Sequence, residues 1–420
     1  MNFNCNIKVV DMIMGSGKTS AAINYINESD QEDEKILYIT PFLSEIKRIK
    51  ECCSNKKFEE PEVYGTKIEG IKYLIQKGKN IVSTHALFRR FDKEIIDMCR
   101  CQNYTLIMDE VTDVIERYPI STQDFDMLIQ NYVYVDEDTH LIKWKDDQKD
   151  YYGKFLDEKK LCDFNCLAYY GNSVMMWLFP IDVFNAFRNV YILTYLFKAQ
   201  MQCYYYDFYK LPYKFVYVEG DSVDNYRFTE NPVTENKRNY NELIDICDIE
   251  KLNRIGDTHS DLSKSWYDRN KENIVIKNLK NNIYNYFNNV CKTPSNLNLW
   301  TTFKDYKTDL QGKGYSKGYL SHNARAMNEY KDRVSVAYPI NKFMNPYVKK
   351  FFENNKVTVD EDGFAISEML QFIWRSAIRE GKKISLYIPS IRMRTLLKKW
   401  IKDNSENNIE NEIVAERTQN

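Results

Sequence analysis

Short apolar runs alternate with stretches of helical periodicity in the first half of the chain, the pattern of a parallel sheet whose strands are joined by covering helices. Residues 7–14 (IKVVDMIM) predict a first strand, with a helix following through about Ile26. Residues 35–40 (KILYIT), 80–84 (NIVST), 104–108 (YTLIM) and 190–194 (VYILT) predict four more strands. Carboxyl ends of parallel strands form the ligand-binding edge of such sheets, so Thr40, Thr84 and Asp109 are expected along one rim.

The alternation fails between about residues 121 and 180, where polar, aromatic and charged residues mix. This stretch reads as an insertion in a first lobe spanning residues 1–230. Residues 231–273 are polar and poor in apolar runs, as expected of a connecting segment. A helix at 274–290 and strands at 297–303, 333–338 and 383–388 predict a second α/β lobe over 274–403, and a polar tail occupies 404–420. No internal repeat or low-complexity tract interrupts this order.

A length of 420 residues suits two such lobes. The net charge of -1 excludes a global polycation, so any nucleic-acid surface has to be local. Ten cysteines include no CxxC pair. The near neighbours Cys52 and Cys53, Cys99 and Cys101, and Cys162 and Cys166 lack the spacing of a zinc site. With no leading apolar segment and no apolar run of membrane length, the sequence predicts a cytoplasmic protein with reduced thiols and no membrane partner.

Candidate chemistry begins at Gly15-Ser16-Gly17-Lys18-Thr19, between the first strand and its helix. Glycines let backbone amides turn toward phosphates, a lysine neutralises the terminal phosphates, and a hydroxyl such as that of Thr19 holds magnesium. Met12 stands where the full GxxxxGKT pattern has its first glycine. The apolar run 104–108 stops at Asp109-Glu110. Magnesium-nucleotide chemistry needs one carboxylate for the metal and another to orient and deprotonate the attacking water, which suits Asp109 and Glu110 in that order.

The order of these and later segments resembles the superfamily 2 (DEAD/DEAH-like) helicases, in the compact style of helicase-like ATPases of bacteriophages. Met14 to Thr19 is similar to the TGxGKT half of motif I, and Asp109-Glu110-Val111-Thr112 takes the place of the DEAD or DEAH box. Thr40-Pro41-Phe42-Leu43 resembles motif Ia, Ser83-Thr84-His85-Ala86-Leu87 the motif after it, and Thr194-Tyr195-Leu196 occupies the place of motif III. Further on, Trp300-Thr301-Thr302-Phe303 stands at motif IV and Ala324-Arg325-Ala326-Met327-Asn328 resembles motif V. The segment from Gln371 to Arg379 resembles QxxGRxxR of motif VI, with Trp374 for the glycine and the last arginine one residue late. On one predicted helix Arg375 and Arg379 would share a face.

The resemblance implies two RecA-like lobes with ATP and magnesium between them. It implies nucleotide contacts by Gly15, Ser16, Gly17, Lys18, Thr19 and Asn328, and metal contacts by Thr19 and Asp109. Lys18, Glu110, Gln371, Arg375 and Arg379 become the expected catalytic set. Thr40, Pro41, Ser83, Thr84, Thr302 and Arg325 become contacts to a nucleic-acid strand, and Thr194 the coupling residue. No glutamine motif precedes the first strand, which implies loose base selectivity.

Lys47, Arg48, Lys50, Arg89 and Arg90 are placed to meet phosphates along a groove, although solvated helix faces carry the same charges. Tyr315 and Tyr319 beside Lys313 and Lys317 offer stacking surface, and Arg392, Arg394, Lys398 and Lys399 suit either a helix end or phosphates. The expected activity is an ATP-driven helicase or translocase in DNA replication or recombination, with DNA favoured over RNA and replication or recombination proteins as candidate partners. An ATP-dependent switch or clamp is the alternative from another class. A DNA-packaging ATPase is a third, against which Gln371, Arg375 and Arg379 argue.

Overall fold

The computed structural model describes residues 6–29, 34–41, 43–61, 65–170, 174–233, 238–322 and 328–405. The chain divides into two compact units, Met1–Val233 with Asn345–Val359 and Thr234–Met344 with Asp360–Asn420.

The strands of the first unit are β1 (Asn6–Asp11), β2 (Lys35–Thr40), β3 (Phe58–Glu59), β4 (Asn80–Thr84), β5 (Tyr104–Asp109), β6 (Ile115–Arg117), β7 (Val133–Val135), β8 (Ile142–Trp144), β9 (Leu167–Tyr170), β10 (Val174–Leu178), β11 (Asn189–Thr194), β12 (Tyr213–Glu219) and β13 (Arg227–Thr229). Among the described residues eight of them form one sheet in the order β13-β12-β1-β11-β5-β2-β4-β3. All neighbours are parallel except β13, which runs antiparallel to β12 at the edge. Every residue of β5 is buried, as a central parallel strand covered on both faces must be. On one face the helix Lys18–Glu28 packs Ala21, Ala22 and Ile26 against Val10, Tyr38, Tyr191 and Leu193.

Residues 115–178 lie outside this sheet. Strands β6, β10 and β9 form an antiparallel sheet and β7 pairs with β8 as a hairpin. Their own core joins Phe125, Leu128, Val133, Ile142, Phe155 and Met175. Strands of three to five residues are too short to show a clear period, so the stretch reads as an interruption of the pattern.

The second unit carries β14 (Ile244–Ile246), β15 (Asn298–Trp300), β16 (Ser335–Ala337) and β17 (Ile384–Tyr387), parallel in the order β14-β17-β16-β15. The helix Ile274–Asn285 turns Ile276, Leu279 and Ile283 into a core with Trp300, Tyr286, Phe287 and Tyr387. Both units are thus α/β, with parallel sheets covered by helices, the class the sequence predicts. Among the described residues no helix is long and apolar enough to cross a membrane.

Two boundaries differ from those expected. The stretch 231–273 is no simple connector, since β14 lies in the second sheet and Trp266 and Tyr267 of the helix Lys264–Asn270 belong to its core. A three-residue strand and a seven-residue helix are too short to announce themselves by periodicity. Conversely, the helix Pro346–Asn354 belongs to the first unit. Its Phe351 and Phe352 meet Phe208 and Tyr204 of the helix Met201–Tyr209 at ring-centroid distances of 5.2 and 5.7 Å.

Candidate active site

Strand β1 delivers the glycine loop to the carboxyl rim of the first sheet. Gly15 and Gly17 adopt φ of 87° and 85°, the left-handed region that a Cβ disfavours. The helix begins at Lys18, and Gly17 brings no side-chain cap to its first turn. Lys18 donates through Nζ to the carbonyl oxygens of Met12 and Ile13, the latter at 3.0 Å, which folds the ammonium over the loop. Thr19 is half-buried in the first turn. Ser16 Oγ is buried with no hydrogen-bond partner among the described residues, an orphan polar atom inside the loop. Met12 does not line the loop. Its side chain is buried in the core and its Sδ accepts from the Val218 amide at 3.0 Å, so the missing first glycine is a core position here.

Strand β11 lies between β1 and β5, pairing Asp11 with Thr194 and Leu193 with Asp109. At about 4.8 Å per strand, the acidic pair stands about 10 Å across the rim from the glycine loop. That interval leaves room for phosphates and a hydrated cation. Burial, then the charges of Glu110 and Glu45, push the Asp109 carboxyl up to about 8, against the opposing pull of Lys18 and Arg48. Glu110 follows in the left-handed region at φ 69°, its amide bonded to Leu193 O at 2.9 Å and its buried Oε2 unpartnered among the described residues. A non-glycine residue in this conformation with an orphan carboxylate oxygen is a strained position of the kind that gathers at functional sites.

Neighbouring side chains brace the rim. His85 Nε2 lies 2.9 Å from Asp109 O, and Gln202 Oε1 accepts from the Thr112 amide at 2.9 Å. Thr194 is buried and donates to Gln200 Oε1 at 3.0 Å. Asp11 accepts from the Phe197 amide at 3.0 Å, and burial raises its carboxyl above the usual range. Arg48 is not directed to a groove. It pairs with Glu45 at 2.8 Å and reaches Ser20 Oγ at 3.4 Å, within electrostatic range of Asp109. Asp11, Glu45 and Gln202 escaped the sequence reading, although the lone acid in IKVVDMIM was a visible signal for the first.

Other expected residues differ in burial and in partner. Thr40 ends β2 in a buried position with Pro41 half-buried beside it, and Thr84 caps the helix His85–Phe88 by accepting from the Leu87 amide. Ser83, inside β4, and Thr302, just past the edge strand β15, are buried as Thr40 is, claimed by packing. Lys47, Lys50 and Arg89 are held by Glu51, Glu60 and Glu116. Tyr315 is fully buried and donates to Leu310 O, so it offers no stacking surface. Arg392 is a structural cation, bonded to Asp362 at 2.6 Å and to Lys342 O at 2.7 Å.

Motif VI also departs from expectation. The helix Glu361–Ile373 carries Gln371 but stops before the arginines, and Arg379 lies in a separate 3-10 turn, Ala377–Glu380. Trp374, standing for the glycine, is buried against Tyr240 and Trp400 at 5.7 and 5.5 Å, while Ser376 Oγ closes the helix on Ile373 O at 2.6 Å. Arg375 and Arg379 therefore do not share one helical face. Arg325 lies outside the described residues, as does the side chain of Asn328 at the head of the turn Asn328–Tyr330.

The SPbeta prophage-derived uncharacterized protein YonV of Bacillus subtilis (strain 168) is 41% identical over 410 residues, spanning 94% of this chain and 99% of the relative. The chain belongs to the YonV family. The YonV C-terminal Rossmann-like domain matches residues 238–401, and the YonV middle domain matches residues 115–177, the piece built from β6 to β10. Among solved structures, an XPD helicase aligns over 94% of this chain and 95% of its own, with TM-score 0.45 and 11% identity. S. tokodaii Xpd4 aligns over 96% and 95%, with TM-score 0.47 and 12% identity.

In this YonV-family chain the glycine loop and acidic pair lie outside both matched domains. The raised Asp109 carboxyl gives them a pH signature. Folding holds a proton there that the unfolded chain releases near pH 4, so this group lowers stability as pH rises from about 4 toward 8. Asp109→Asn is expected to gain stability over the parent across that range, by up to ~1.4 kcal/mol per pH unit, in thermal unfolding with EDTA. A difference independent of pH would contradict the buried, protonated carboxyl.

Proposed function

We propose that this YonV-family chain hydrolyses ATP with magnesium and uses the energy to move along or open nucleic acid, DNA favoured over RNA. The observation that carries the proposal is the rim itself: two left-handed glycines, an uncapped helix start and Lys18 on β1, facing a strained Glu110 and buried Asp109 two strands away. Among the described residues there is no cluster of three or more metal-ligating side chains. Magnesium that arrives with phosphates needs fewer, and Thr19 and Asp109 fit that role.

Each residue of the rim has a task. Amides of residues 15–19 and the Ser16 hydroxyl would receive phosphate oxygens, and Lys18 would leave its carbonyl partners to neutralise the terminal phosphates. Bound magnesium supplies charge neutralisation at the phosphates. Glu110 would orient and deprotonate the attacking water, its strained backbone aiming the carboxylate. Gln202, bonded to the Thr112 amide just past the acidic pair, and Thr194, bonded to Gln200 on the same segment, suit a coupling role. Gln371, Arg375, Arg379, Asn328 and Arg325 of the second unit are retained as proposed contributors to hydrolysis and strand binding, as are Thr40, Pro41 and Thr84 of the first. The relative's prophage origin supports a phage-type ATPase working inside a bacterial host cell, in replication or recombination.

A clamp that binds nucleic acid or a partner protein without opening it is the second reading, favoured by the burial of Ser83 and Thr302. A labelled duplex with a single-stranded tail distinguishes them. The motor is expected to separate strands with ATP and not with a non-hydrolysable analogue. ATP-dependent retention of intact duplex would favour the clamp.

A further inference from the structure

Residues 220–226 join β12 to β13 at the same rim as the glycine loop, because β12 runs parallel to β1 and pairs with it. This turn is built to be stiff. Asn225 Oδ1 accepts from the Asp221 and Ser222 amides, both at 2.9 Å, and Gly220 adopts φ 113° where any Cβ would meet Asn225 O at 2.6 Å. Asn24, on the helix that follows the glycine loop, donates to Val223 O at 2.8 Å and Tyr226 O at 3.0 Å. Arg227 pairs with Glu28 of the same helix and donates to Tyr226 O at 2.9 Å. The turn is thereby locked to the helix that carries Lys18.

Tyr226 is what the turn presents. A Cβ placed on Gly17 would lie 2.8 Å from three atoms of the Tyr226 ring, so the ring lies flat against the bare α-carbon. Gly17 is glycine for two reasons, its left-handed φ and this contact. Successive amides converge on an anion only while that left-handed residue holds its conformation.

We infer that Tyr226 is a positioning residue of the nucleotide site, its ring clamping Gly17 in the phosphate-receiving conformation with the braced turn as backing. This rests on the ATPase reading above. A clamp on the loop acts on phosphates whatever they are attached to, which separates it from a ring that stacks a base.

The test uses the full chain, ATP as substrate and inorganic tripolyphosphate as competitive inhibitor. Tyr226→Ala is expected to raise KM for ATP and the inhibition constant of tripolyphosphate by the same factor, about tenfold, with a smaller effect on kcat. Tyr226→Phe is expected to match the parent, since the ring and not the hydroxyl meets Gly17. Should the alanine variant fail to fold, Tyr226→Leu, which keeps apolar bulk without a flat face, is expected to shift both constants together by about threefold. Loss confined to ATP with tripolyphosphate unaffected, or alanine and leucine variants equal to the parent, would overturn the inference while leaving the ATPase reading intact. A parent chain that neither hydrolyses ATP nor binds tripolyphosphate would overturn both.

Discussion

Lys18→Ala is expected to reduce ATP turnover to about a thousandth of the parent rate or less, since charge stabilisation of a transferring phosphoryl group is the largest contribution a protein makes to this chemistry. The side chain lies in the first turn of the helix, and in this structure its ammonium is held by the carbonyls of Met12 and Ile13. Losing those two bonds to loop carbonyls costs about 1 kcal/mol of stability. Turnover is thus expected to vanish from a protein that still unfolds cooperatively near the parent temperature. Phosphate release within tenfold of the parent would remove Lys18 from the site.

Glu110→Gln is expected to separate binding from chemistry. Glutamine keeps the shape and removes the base, so kcat should fall by about a hundredfold to ten-thousandfold while the dissociation constant for ATP stays within about threefold. The backbone is expected to hold its left-handed turn, because the amide is bonded to Leu193 O and both flanking residues are buried. Single-turnover hydrolysis beside equilibrium binding makes the distinction. An undiminished kcat would assign the general base elsewhere, and a loss of both would make Glu110 a structural residue.

The two expectations rest on residues that were legible in sequence because their chemistry is local. A glycine loop between strand and helix, and an apolar run ending in two acids, state their conformations within a few residues. The strands β2, β4, β5 and β11 were visible for a related reason, being short, largely apolar runs buried on both faces, and β1 by the glycine loop that follows it. Edge elements were not. The two-residue β3 and the half-exposed β12 and β13 carry little periodic signal, and β12 decides where Tyr226 sits.

What failed to show in sequence depends on contacts between distant residues. Trp374 stands in place of the glycine of motif VI; buried against Tyr240 and Trp400, it accompanies the end of the helix before either arginine. Arg48 had the position of a strand contact and proved to be Glu45's partner behind Asp109. No local pattern tells that the helix Pro346–Asn354 packs with the first unit, since its amphipathic face fits any apolar surface. The same holds for Met12, whose sulfur is fixed by an amide 206 positions away.

Phosphate release by the unaltered chain, followed with magnesium or EDTA and with or without single-stranded DNA, tests the central claim most directly. Turnover is expected to require magnesium and to rise when the strand is added. A folded chain that releases no phosphate under any of these conditions would contradict the account.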